Sequence, residues 1–184
     1  FNDKFINIDN KAIASALKNE GFFFFKNAVN TNFLDLLLTE IDKNKFSVNE
    51  NWTSGVYTEK QYYVKHLLGC SKSFYYLSSS SGVFEVCDEF FNSEYRLKAF
   101  RYYETYFNHK MGWHTDNKIS KNVGNGFNEI PGIIFIVYLD DVKDGEFQFV
   151  KKSHKLSNVD AYNVYTDKQI LEEFQNDVVS FKGA

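Results

Sequence analysis

Between residues 97 and 107 the chain alternates two sets of side chains: Leu97, Ala99, Arg101, Tyr103, Thr105 and Phe107 in one set, Lys98, Phe100, Tyr102, Glu104 and Tyr106 in the other. A period of two belongs to extended backbone, so the stretch predicts a strand. Polar groups such as Arg101 and Tyr103 among aromatic rings suit the wall of a small barrel holding a polar ligand. They suit equally an ordinary half-exposed strand.

A turn over 108–112 leads into Trp113-His114-Thr115-Asp116. In extended backbone His114 and Asp116 project from the same side, so an imidazole and a carboxylate can grip one metal ion together. A third ligand, usually a second His, would complete the facial triad of non-haem Fe(II) oxygenases, which leaves coordination positions open. His-x-Asp alone recurs by chance, so its surroundings carry the weight. His109 lies five positions earlier in a Gly-containing turn and is expected to be a loop residue.

The remaining pattern is that of one domain with helices first. Asp9 or Asn10 caps an expected helix over 11–20, with Ile13, Ala16 and Leu17 on one face and Gly21 as its left-handed stop. The run 22–25 predicts a strand buried on both faces. Asn30 or Thr31 starts a second helix carrying Phe33, Leu34, Leu37, Leu38 and Ile41 at helical spacing. Residues 42–59 are polar and turn-rich, too long for a simple connection, and form a candidate active-site lid. Lys65 and His66 carry no motif, and a surface or satisfied core position accounts for them. The serines at 78–81 cap a helix whose Val83, Phe84, Cys87, Phe90 and Phe91 form a stripe expected to pack on a sheet. After an Asn- and Gly-rich loop over 117–128, residues 133–139 predict a buried strand, and Asp140, Asp141 and Asp144-Gly145 a hairpin returning through 146–150.

Composition excludes several classes. With 184 residues, 43% hydrophobic and 18% aromatic, the chain can bury a sizeable core, and its single Pro rules out long Pro-rich linkers. A net charge of -3 without a basic stripe argues against a nucleic-acid surface. Lys151, Lys152 and Lys155 form only a local cluster. Two cysteines, Cys70 and Cys87, have neither CxxC spacing nor disulfide density, which points to a reducing, cytoplasmic setting. No run reaches transmembrane length and no signal-peptide pattern is present, so no membrane partner is expected.

The ordered combination of His114-Thr115-Asp116, the Asn- and Gly-rich loop, the apolar run, Tyr138-Leu139-Asp140-Asp141-Val142, Gly145-Glu146-Phe147-Gln148-Phe149-Val150 and Lys151-Lys152-Ser153-His154-Lys155 resembles the phytanoyl-CoA dioxygenase branch of the Fe(II)/2-oxoglutarate-dependent oxygenases. That family commonly runs Pro-Gly-Ser-His-Lys where this chain has Lys151-Lys152-Ser153-His154-Lys155. The resemblance covers roughly residues 97–184. It implies an α+β fold, a double-stranded β-helix (a jelly-roll or cupin-like barrel) buttressed by N-terminal helices. It also implies catalytic Fe(II) on His114 and Asp116, with 2-oxoglutarate and O₂ as co-substrates, succinate and CO₂ as co-products, and a small-molecule substrate.

The family's distal His and the Arg or Lys that pairs with the far carboxylate of 2-oxoglutarate come late, so both are expected beyond Ala184, on closing strands that this chain stops short of. Arg101 and Tyr103 are candidates for pairing with a carboxylate of 2-oxoglutarate or of the substrate. His154 is an alternative third ligand, although the resemblance puts it in a loop suited to a backbone or substrate contact. Two other readings stay open: a non-catalytic metal- or ligand-binding module, and a cupin-like metal enzyme that needs no keto-acid. Related halogenases carry Gly or Ala in place of the carboxylate, so Asp116 points to hydroxylation or desaturation. Asp116→Ala is expected to abolish iron binding and turnover together; full activity in that variant would overturn the assignment.

Overall fold

The computed structural model describes residues 1, 7–45, 55–57, 61–64, 67–106, 109–114, 132–156 and 164–183. Helix α1 spans Asn10–Glu20 and begins where Asp9 accepts a hydrogen bond from the Lys11 amide at 2.9 Å. It ends at Gly21, whose φ of 88° and N–H to the Leu17 carbonyl make the left-handed stop expected of a glycine there. Helix α2 spans Thr31–Lys45, with Asn30 accepting from the Asn32 amide. The candidate lid falls partly in this helix and in strand β1, Gly55–Tyr57; the rest of it lies outside the described residues, as do Lys65 and His66.

Strand β2, Gln61–Val64, is followed by the short helices α3, Leu67–Cys70, and α4, Lys72–Ser78, and then by α5, Ser81–Phe91. Strand β3 is Tyr102–Thr105, shorter than the alternation over 97–107 predicts. It pairs antiparallel with β2, which pairs with β1, in the order β1-β2-β3. Only the four residues opposite β2 find ladder partners among the described residues, and that sets the strand's length.

One face of this sheet carries the main core. Tyr62 and Val64 of β2 meet Leu37 and Ile41 of α2, Leu67, and Phe74 and Leu77 of α4. Each fully buried side chain of this size contributes about 1.5–3 kcal/mol through removal of apolar surface from water. Glu40 of α2 fixes the angle of α4: its carboxylate accepts from the buried Ser71 and Ser73 hydroxyls, and Ser71 Oγ caps the Phe74 amide at 3.1 Å.

Three expectations are corrected. Among the described residues helix α5 packs on α1 rather than on a sheet; Gly82, Val86 and Cys87 are buried on one helix and Ile13 and Ala14 on the other, and Phe84 is exposed. Gly82 offers the low profile that close helix packing needs, which the aromatic stripe disguised. The run 22–25 makes no strand; Phe22 packs on Phe149 and Phe181, and Phe24 on Phe181 at 5.2 Å between ring centroids. The run 133–139 is neither buried throughout nor in a ladder: Ile134, Phe135 and Ile136 are 66%, 43% and 51% exposed.

The returning strand β5, Phe147–Val150, pairs instead with β7, Val178–Phe181. The Tyr138 hydroxyl bridges the Phe147–Phe181 end of this pair, accepting from the Phe147 amide at 2.8 Å and donating to the Phe181 carbonyl at 3.0 Å. Two further strands, β4 (Trp113–His114) and β6 (Val164–Tyr165), pair with each other, and helix α6 spans Asp167–Phe174. Among the described residues the strands thus form three small antiparallel sheets. Among the described residues, no helix is long and apolar enough to cross a membrane.

The segment 151–155 closes over the C-terminus of α1. The Lys152 amide donates to the Glu20 carbonyl at 2.9 Å, His154 Nε2–H donates to the Lys18 carbonyl at 3.1 Å, and Lys151 pairs with Glu20 at 2.9 Å. That pairing holds the Glu20 carboxyl below its usual range and raises Lys151. Cations and N–H donors belong at this end of a helix, where carbonyls lack partners. Lys152 stands at φ 63°, a left-handed conformation that costs a residue with a Cβ about 1–2 kcal/mol. A Cβ at Gly21 would come within 2.6 Å of His154 Nδ1. Gly21→Ala is therefore expected to lower stability by about 2 kcal/mol or more, and Lys152→Gly to raise it by about 0.5–1 kcal/mol, both read from urea denaturation.

Candidate functional site

The His114 strand is set between two partners. In β4, Trp113 lies opposite Tyr165 and His114 opposite Val164. Gly112, just before the strand, is overlain by Val164: a Cβ there would meet Val164 Cγ1 at 3.1 Å. On the other side the Trp113 indole Nε1–H donates to Asp167 Oδ1 at 3.0 Å, and Lys110 pairs with Oδ2 of the same carboxylate. These two contacts hold the Asp167 carboxyl below its ordinary range, Lys110 contributing most. Asp167 is fixed in turn by the start of α6, where Thr166 and Gln169 form a reciprocal capping box.

His114 is exposed, and its Nδ1 lies 2.7 Å from the Gly112 carbonyl. A carbonyl only accepts, so Nδ1 carries the proton, and in the neutral ring Nε2 is the nitrogen with a lone pair. Metal-ligating imidazoles are commonly oriented in this way by the group on the other nitrogen. Asp116 lies outside the described residues. Among the described residues, no three His, Cys, Asp or Glu side chains group closely enough to hold a metal ion.

Arg101 and Tyr103 are brought together. Arg101 Nη1–H donates to the Tyr103 hydroxyl at 3.2 Å, and the Tyr103 ring stacks on Tyr63 at 6.1 Å between centroids. Both belong to the exposed face of the three-stranded sheet, where Tyr103 is 46% exposed, while Tyr102 and Tyr106 turn toward the core. His154 has its Nε2 on the Lys18 carbonyl and its Nδ1 beside Gly21, the backbone contact foreseen for that loop. A shallow hollow of about 360 Å³ lies elsewhere, between α1 and α5, lined by Lys11, Ala14, Ser15, Lys18, Asn19 and Glu89. It contains none of the residues singled out by sequence.

Comparison of the chain with protein-family models, with curated proteins and with solved structures finds no match in any of the three.

Sequence reasoning missed the role of Asp167, 54 positions from Trp113, because no local pattern links the two. His109 lies in the loop between β3 and β4, as expected, and among the described residues both its ring nitrogens are buried without a hydrogen-bond partner, although its amide bonds the Tyr106 carbonyl. A buried polar group left unpaired costs about 1–3 kcal/mol. His109→Leu is expected to stabilise the fold by about 1 kcal/mol in urea denaturation; a loss of stability would show that the ring serves a partner.

Proposed function

We propose that the chain is a non-haem Fe(II)- and 2-oxoglutarate-dependent dioxygenase that hydroxylates a small molecule. The observation that carries this reading is the His114 imidazole. Its Nδ1–H is committed to the Gly112 carbonyl, so Nε2 is the ligating nitrogen, two positions before the carboxylate of Asp116. A neutral imidazole and a carboxylate at this spacing suit Fe(II) on donor chemistry. A second support comes from the loop that follows β5. Lys152, at the position where the resembled family runs Gly, adopts the left-handed backbone that Gly adopts without cost.

Iron with a chelated keto-acid would supply the activation of O₂ and the oxidation of a substrate C–H bond, with loss of CO₂ and formation of succinate. The chain's own residues then have narrower tasks. His114 and Asp116 would hold the metal. The Gly112 carbonyl keeps the proton at Nδ1 and away from the ligating nitrogen. Arg101, with its planar fork of N–H donors, offers a carboxylate partner beside the Tyr103 hydroxyl.

The second reading, a metal-binding module that needs no keto-acid, is favoured by one observation. Arg101 and Tyr103 lie on an exposed sheet face, which gives the far carboxylate of a keto-acid no enclosed partner among the described residues. Anaerobic titration with Fe(II) and then 2-oxoglutarate separates the two. A visible metal-to-ligand charge-transfer band, perturbed by candidate substrates, is the result expected of the oxygenase. Iron binding without the band would transfer the assignment to the keto-acid-independent module.

A further inference from the structure

Strand β4 is two residues long and its ladder has two register positions, too little by itself to fix where His114 projects. The added constraint comes from α6. One carboxylate, that of Asp167, takes Lys110 on one oxygen and the Trp113 indole N–H on the other. Those two residues bracket the Met111-Gly112 dipeptide, and Gly112 supplies the carbonyl that receives the His114 Nδ1–H. The two ends of the 110–113 turn are therefore tied to one rigid point at the start of a capped helix, with β6 closing over Gly112 from the other side.

We propose that Asp167 is the positioning residue for His114: by clamping the 110–113 turn it aims the Gly112 carbonyl, which fixes the imidazole in its Nδ1–H form. The half of this inference that concerns a metal rests on the proposed function; the half that concerns the tautomer does not. Directionality comes mainly from the indole bond. The Lys110 pair, with side chains 68% and 51% exposed, is the kind of surface ion pair that adds little alone. A carboxylate in the first turn of α6 is itself favoured there, which keeps Asp167 in place while it holds the turn.

The test uses the full chain with ¹⁵N-labelled histidine. Long-range ¹H–¹⁵N correlations report the tautomer of His114, assigned by the signals lost in His114→Ala. The wild-type chain is expected to show the Nδ1–H form. Asp167→Ala and Trp113→Phe are each expected to release the ring toward the Nε2–H form, and the double variant to do no more than either single one. Asp167→Asn keeps an oxygen acceptor for the indole and is expected to retain the Nδ1–H form. Co(II), titrated by its visible bands, should bind the Asp167→Ala and Trp113→Phe chains about 10-fold or more weaker than wild type.

An Asp167→Ala chain that keeps the Nδ1–H form and wild-type Co(II) affinity overturns the proposal, even if its melting temperature falls. So does a wild-type His114 in the Nε2–H form. If Asp167→Ala does not fold, Trp113→Phe decides in the same terms. A tautomer that responds as expected in a wild-type chain that binds no Co(II) supports the clamp and removes the metal reading.

Discussion

The C-terminus of α1 is the joint of the described structure. A helix end leaves carbonyls without partners, and here a loop from the far part of the chain supplies the donors: the Lys152 amide, the His154 ring and the Lys151 ammonium. Because α1 also packs on α5, and because the next residues send Phe22 and Phe24 onto Phe149 and Phe181, this one joint ties the helical pair to the β5-β7 sheet. Gly21 permits the closure. Its left-handed backbone turns the chain away, and its missing side chain leaves the space that His154 fills. The loop accepts a strained Lys152 as the cost of reaching the helix.

A second polar device orders the other core. Glu40 reaches from α2 to two buried serines at the start of α4, so the helix that covers the sheet is aligned by a carboxylate as well as by Phe74 and Leu77. Tyr95 does comparable work after α5. Its hydroxyl donates to Asp88 Oδ1 at 2.8 Å and its ring stacks on Phe91, and desolvation together with that bond pushes its pKa up to about 12. Strand β4 follows the same logic, with the Asp167 carboxylate taking the Trp113 indole N–H. Short elements are held in place by single well-placed oxygens.

What could be read in the sequence was what is local. The Asp9 cap, the Gly21 stop and the start of α2 near Asn30 and Thr31 depend on residues within a turn of one another, and the structure has them there. Apolar runs were a poorer guide. Residues 22–25 and 133–139 have the composition of buried strands, but composition does not say what lies opposite, and here Phe22 and Phe24 pack by their rings while β7 takes the place beside β5. For the site, His114 and the Arg101–Tyr103 pair could be nominated from spacing. The Gly112 carbonyl and Asp167 could not, because a hydrogen bond across 54 positions leaves no periodic trace.

The joint at α1 also dictates an order of events. The bond from His154 to Lys18 spans 136 positions, and the loop entropy of such a contact is met only after the intervening residues are available. The contact of Asn10 with Glu85, at 75 positions, can form earlier and bring α1 onto α5. During synthesis α1 would thus have its packing face engaged on α5 while its last carbonyls still face water. Its last turn is completed when the segment after β5 arrives and ties the helical pair to the β5-β7 sheet.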